Sequence, residues 1–508
     1  MLAFLEPLEE LADYQEIVRK RGKAEGILQI AGCVSSQKTH LMYALGDGFE
    51  YRVIVFSSEE KAKQAYEEYK MLEENTFLYP AKDLLFYHAD IKGAALTGKR
   101  MEVLKKLTEK KNREPVTVIT TADAFLDGLP SKEKLWESRI EIEAGAVIDF
   151  QKLQEELVHL GYERESQIEG PGQFAVRGGI LDVYPLTEEI PVRIELWGDE
   201  IDSIRSFDVE SQRSVENMEQ VVIYPATENV EKEEQAVSFA EYFPKEKSLF
   251  FFDEPVRLQE TLEAVEKEYF HSFESRKNAG MTEEADEIRV FQTKEIIEKF
   301  NTRYGIGLTT LETRCGGFKV RDVYSIQAAG VNPYNNSFEM LTQDLKKLKR
   351  QGYRVILVSG SRTRAKRLAE DLRDYDLSSF YSEDMVRTVR PGEIMVVYGC
   401  VAEGYEYPML KFMVISESDI FGKRKKKRRR KVYEGQKIQE FAELKPGDYV
   451  VHENHGLGVY QGIEKVEVDK VTRDYMKISY ADGGILYILA TQMDLIQKYA
   501  GQMRNRQS

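Results

Sequence analysis

Gly26-Ile-Leu-Gln-Ile-Ala-Gly32-Cys-Val-Ser-Ser-Gln37-Lys38-Thr39 runs from a short apolar segment through a glycine turn into a helix-forming stretch. Its spacing is that of a phosphate-binding loop, G-x-x-x-x-G-K-[ST], except that Gln37 stands at the second glycine. In a working loop the amides cradle phosphate, the lysine holds the outer oxygens and the hydroxyl ligates magnesium. Gln37 is therefore expected to intrude on the phosphates or to strain a backbone position that favours glycine. The matching acidic pair follows a second apolar run, Phe250-Phe-Phe-Asp253-Glu254. Gly32, Gln37, Lys38, Thr39, Asp253 and Glu254 read together as a degenerate nucleotide site, and no bound cofactor is expected.

Around this loop, Ile27–Ile30, Tyr51–Phe56 and Val116–Thr120 read as buried strands, and Glu59–Leu72 has helical periodicity. Alternating strands and helices imply a parallel sheet covered on both faces. Residues 135–226 change character. A helix from Asp149 to Leu160 precedes alternating segments, Gly179–Tyr184 and Val192–Trp197, which read as a small α+β insertion with one exposed sheet face. Arg354–Ser359, Arg362–Asp374 and Glu393–Tyr398 form a further α/β unit without a phosphate loop. From 444 onward, short strands with glycine turns suggest a small β-barrel.

At 508 residues the chain should hold about three to four domains. Hydrophobic residues make up 42% and charged residues 31%, which excludes bulk disorder and rod-like folds. No apolar run reaches the roughly 20 residues needed to cross a bilayer, so a cytoplasmic location is expected. Cys33, Cys315 and Cys400 lie far apart and read as free thiols. His452 and His455 lack further ligands at metal spacing, so no metal is expected. The net charge is −15, yet Lys423 to Lys431 are nine consecutive bases. Any contact with duplex DNA should be local to that run, at Lys423, Arg424, Arg428, Arg429 and Arg430. A solvated linker is the simpler reading of it.

Three long, ordered motifs carry a resemblance. They are the decayed loop, the insertion segment Gln173–Pro185 with Arg193–Asp208, and Gly447-Asp-Tyr-Val-Val-His452-Glu-Asn-His455-Gly456-Leu-Gly458-Val-Tyr460. In that order they resemble the N-terminal half of the bacterial transcription-repair coupling factor (Mfd) family, whose first region is similar to the excision-repair protein UvrB. The last segment is similar to the RNA-polymerase-interacting domain shared with CarD-type regulators.

The resemblance implies a multidomain fold, α/β and α+β. A degenerate RecA-like, UvrB-like module would occupy 1–134 and 227–318, interrupted by a UvrB-like domain 2 at 135–226. An α/β domain of unclear role at 319–420 and a basic linker at 421–443 would lead to a CarD-like, SH3/Tudor-like barrel at 444–502. It further implies UvrA contacts through Arg164, Arg177, Arg193 and Glu195, with Ala175 replacing an arginine of UvrB. Ile463 and Val466, on a segment aligned with an edge strand, would meet the RNA polymerase β subunit. The hairpin that UvrB inserts into damaged DNA has no counterpart between Phe86 and Arg100. The motor of the family is expected to lie outside this chain. The implied role is an adaptor joining stalled polymerase to UvrA. An ATP-dependent DNA translocase and a CarD-like transcription regulator are the alternatives.

Overall fold

The computed structural model describes residues 2–82, 94–109, 114–228, 235–278, 290–422, 435–437, 445–452, 456–468, 471–479, 485–489 and 496–499. The basic run at 423–431, His455 and the segment 83–93 that bears on the missing hairpin lie outside them. Among the described residues no helix is long and apolar enough to cross a membrane.

The first sheet has seven strands in the order 320–325, 26–31, 304–309, 248–253, 51–56, 116–121, 76–79. Every pairing in it is parallel. Gly26–Ala31, Tyr51–Phe56, Val116–Thr121 and Ser248–Asp253 are buried along their whole lengths, the pattern of strands covered on both faces. Strand 248–253 inserts between 51–56 and 304–309, so chain before and after the insertion builds one sheet. Val320–Ser325, grouped with 319–420 in the sequence reading, hydrogen-bonds to 26–31 as the outer strand of this same sheet.

Between the two halves stands the inserted unit. The helix Phe150–His159 begins at Asp149, whose carboxylate accepts the Gln151 and Lys152 N–H groups at 3.0 Å, and buries Leu153 and Leu157. It packs on a six-stranded sheet ordered 214–218, 200–207, 192–197, 180–183, 173–177, 163–165. A two-stranded ladder, Ile140–Glu143 with Gln220–Ile223, closes the neck. Behind the neck Arg100 is fully buried. Its guanidinium reaches Asp127 at 2.5 Å, Glu228 at 2.9 Å and the Pro80 carbonyl at 2.8 Å, and lies 4.5 Å from the Tyr79 ring centre. Lys82 joins the cluster at 2.5 Å from Glu228.

The further α/β unit has the strand order 329–330, 405–407, 412–416, 354–359, 393–398, 378–382, of which the last four are parallel. It does not stand apart from the first module. Ile356, Met395, Tyr405 and Phe412 share one core with Leu41, Leu45 and Ile54. His40 sits at that joint, wholly buried, between the Tyr407 hydroxyl and the Phe4 carbonyl, each at 2.8 Å. The carbonyl requires an N–H at Nε2, and since burial keeps the imidazole neutral, Nδ1 accepts from the Tyr407 hydroxyl. Burial pushes its pKa down to about 4 from 6.5. The unfolded chain thus takes a proton that the folded one refuses, and stability falls as pH drops below 6.5. Between pH 7 and pH 5 the expected loss is about 2 kcal/mol. Urea midpoints at the two pH values check it, because His40→Gln should flatten the difference relative to the parent.

The C-terminal unit is a six-stranded antiparallel sheet ordered 435–437, 496–499, 449–452, 456–468, 471–479, 485–489. No pairing among the described residues joins its two outer strands.

Candidate functional site

Helix Ser35–Leu45 starts where the parallel strand 26–31 ends, and Gly32 makes the turn at φ +88°, a value that suits glycine. In place of a phosphate, Lys38 meets the acidic pair: its Nζ lies 2.6 Å from Asp253 Oδ1 and 2.7 Å from Glu254 Oε1. Burial opposes the charge on Lys38, but the two carboxylates outweigh it and raise its pKa. Glu254 adopts φ +51°, a strained value for a side-chain-bearing residue. There its carboxylate also accepts the Thr310 N–H and hydroxyl, both at 2.9 Å. Lys61 adds a second ammonium 3.2 Å from Asp253.

Gln37 behaves differently from the sequence expectation. It takes no left-handed backbone angle and is fully buried, with its side chain folded back to accept the Val34 N–H at 3.1 Å. The residue therefore neither strains the loop nor fills its mouth; it occupies an amide at the helix entry. The Cys33 N–H is likewise spent, on the Thr309 carbonyl at 3.1 Å.

A segment that sequence reasoning did not connect to the loop completes the closure. Residues 402–404 of the further α/β unit lie across the helix N-terminus. The Glu403 N–H donates to Ser36 Oγ at 3.2 Å, Ser35 Oγ donates to the Glu403 carboxylate, and Ala402 N–H donates to Glu68 at 2.9 Å. Glu68, itself buried, accepts Ser36 Oγ at 2.7 Å, and burial pushes its pKa up. Thr39, the would-be magnesium ligand, helps to hold the Glu68 charge. Carboxylates thus stand where anionic phosphate would seek a helix dipole. No local signal links positions 403 and 35.

On the inserted sheet, Arg177, Arg193 and Glu195 share the face away from the helix, whereas Arg164 pairs in register with the core residue Phe174. Register alone sets Arg164 apart from the other three. Arg177 is exposed at a two-residue hairpin whose Gly178 takes φ +61°. Arg193 forms a two-pronged pair with Asp182 on the adjacent strand, at 2.6 and 2.9 Å, and lies 4.3 Å from the Phe207 ring centre. Glu195 pairs with Arg205 and accepts Ser203 Oγ at 3.3 Å. Ala175 is buried against Ile168 and Phe207, so that position offers nothing to a partner. Two residues beyond Glu195, Trp197 is 83% exposed beside the tight turn at Gly198. A large aromatic bordering charged groups has the make-up of an interface anchor, and its place in an alternating strand was the signal for it.

In the C-terminal sheet, strand 456–468 outruns its neighbour. Tyr449–His452 pairs with it only as far as Val459, and the Asp448 carbonyl extends the cover to Tyr460. From Gln461 to Val468 only 471–479 pairs with it among the described residues. A bulge between Tyr460 and Gly462 begins that half-open stretch. Ile463 stands on it 47% exposed; Val466 pairs with Arg473, and its side chain lies outside the described residues. Lys423, Arg424, Arg428, Arg429 and Arg430 also lie outside. Among the described residues no cluster of three or more His, Cys, Asp or Glu could hold a metal ion.

The UvrB interaction domain model matches residues 140–229, and the CarD-like/TRCF RID domain model matches residues 444–500. The transcription-repair-coupling factor of Bacillus subtilis (strain 168) is 26% identical over 561 aligned positions, which cover 97% of this chain and 47% of that protein. That of Staphylococcus aureus (strain NCTC 8325 / PS 47) is 29% identical over 489, covering 84% of this chain and 41% of that protein. The chain therefore spans slightly less than half the length of the relatives it matches. Along nearly all of its own length it is similar to the transcription-repair-coupling factors, in extent consistent with their N-terminal half, and it carries a UvrB interaction domain and a CarD-like/TRCF RID domain.

Proposed function

We propose that this chain is the adaptor part of a transcription-repair coupling factor, holding stalled RNA polymerase through residues 444–500 and UvrA through the inserted domain, in the cytoplasm. The observation that carries the reading is the presence of two partner-binding modules on one chain. The face bearing Arg177, Arg193, Glu195 and Trp197 supports the UvrA side. On it Arg177 has the fullest exposure of the charged groups, while Arg193 and Glu195 meet a partner as members of ion pairs already formed. The half-paired stretch 461–468 supports addition of a strand from the polymerase β subunit, with Ile463 as an apolar contact. The C-terminal sheet would close as a small barrel around this stretch, and the run 423–431 would touch upstream duplex DNA. No nucleotide cofactor is assigned, since Asp253 and Glu254 already engage the Lys38 ammonium that ATP would need, and the carboxylates of Glu403 and Glu68 take the Ser35 and Ser36 hydroxyls at the helix entry.

Titration of UvrA with the parent chain and with Arg177→Glu tests the reading. Binding weakened at least tenfold by the substitution supports it, and equal binding by both sinks the assigned face. Ile463→Asp should weaken polymerase binding alone. Polymerase binding without UvrA binding would favour the CarD-like regulator. DNA-stimulated ATP turnover by this chain would favour the translocase.

A further inference from the structure

The phosphate loop lies at the carboxyl ends of the first sheet's strands. At the opposite end, the strands that begin at Gly26, Ser248, Tyr304 and Val320 run parallel side by side, so the chain entering each of them converges there. A cleft of about 430 Å³ opens at this end, lined by Lys23, Glu25, Lys245, Tyr304, Lys319 and Arg321 with one alanine. Four cations face one carboxylate on a chain whose net charge is −15.

That carboxylate is already engaged. Glu25 pairs with Lys245, and the same hydrogen bond, with a smaller contribution from Lys319, lowers its pKa. Among the described residues neither Lys23 nor Lys319 closes an ion pair. Arg321 donates one N–H to the Lys20 carbonyl at a long 3.5 Å, and its Nε–H is buried without an acceptor. Like charges gathered at a concave surface repel one another and focus a positive potential, which an entering anion relieves. A desolvated N–H with no acceptor adds to the demand for one.

We propose that this cleft is an anion-binding site for a phosphate group, separate from the closed nucleotide loop and independent of the function proposed above. Nucleic-acid backbone and free polyphosphate present the same oxygens, and the two sources are separable by experiment. Binding of inorganic pyrophosphate is measured by calorimetry and binding of a labelled 20-base-pair duplex by anisotropy across a salt series. Both use the full chain with alternate bases of 423–431 changed to Gln, so that the run does not dominate. The comparison is with the same chain carrying Lys23→Glu and Lys319→Glu, both exposed positions where the fold should tolerate the change.

At least a tenfold loss of pyrophosphate binding in the variant supports a site for free phosphate. Loss of duplex binding, with the salt slope reduced by about 2, supports a backbone site. Absence of both ligands from the parent, or equal binding by parent and variant, overturns the proposal. Arg321→Gln supplies a second variant that should weaken whichever ligand binds.

Discussion

Replacing Arg100 by methionine is expected to cost about 3–5 kcal/mol of stability, because it strands two buried carboxylates. Asp127 and Glu228 are 2% and 3% exposed, and after the change only Lys82 would answer them. Burial alone would raise the Glu228 pKa, yet Arg100 and Lys82 hold it below the usual value of 4.5. The Glu228 contribution to stability is therefore present above pH 4.5 and is lost as pH falls below it. Arg100→Lys should recover only part of the loss, since a single ammonium cannot serve two carboxylates and the Pro80 carbonyl in the fork's geometry. Calorimetric melting of the three proteins checks this order. Hydrogen exchange locates the effect, with protection lost first in helix Ala94–Thr108 and around Glu228 at the neck of the insertion. Unchanged melting of Arg100→Met would show that this cluster does not hold the insertion to the module.

Lys38→Met should also destabilise, by about 3 kcal/mol, and this is the reverse of what a working phosphate loop would do. There the lysine waits for phosphate, and its loss abolishes nucleotide binding while the fold is little affected. Here Asp253 is 2% exposed and relies on Lys38, with Lys61 as a half-exposed second partner that keeps the loss at the lower end of the range. The double variant Lys38→Met, Asp253→Asn should regain part of the stability, because it removes the charge left behind. Melting with and without ATP and magnesium completes the test. A Lys38→Met chain as stable as its parent, together with ATP protection of the parent, would mean that the loop is open.

Much of the architecture was legible in local pattern. The buried runs at 27–30, 51–56 and 116–120 became parallel strands, and the helix read from Asp149 to Leu160 spans 150–159, with Asp149 as its cap. The meeting of Lys38 with Asp253 and Glu254 was legible too, from the spacing of the loop and the acidic pair after a buried strand. The shared face of Arg193 and Glu195 followed from strand alternation. Those readings rest on residues within about a dozen positions of one another, or on a motif whose partners are known by type.

Other features depend on pairings between distant segments. Val320–Ser325 joins the first sheet because its backbone finds strand 26–31, which no composition shift near 319 announces. Glu403 reaches Ser35, and Ala402 reaches Glu68, only because two α/β units share a core. Gln37 was read as an intruder on phosphate, but its amide had a nearer use at the helix entry. Arg164 lies beside Phe174 and on the other side of the sheet from Arg177, which only the register of strand 163–165 shows. The sequence by itself thus determined which segments become strands and helices and where a glycine turn leads into the helix that carries Lys38, because periodicity and motif spacing are local properties of the chain. Only the tertiary structure decided that the loop is closed, which charges share a face and where cations gather, because these depend on contacts whose partners lie hundreds of residues apart.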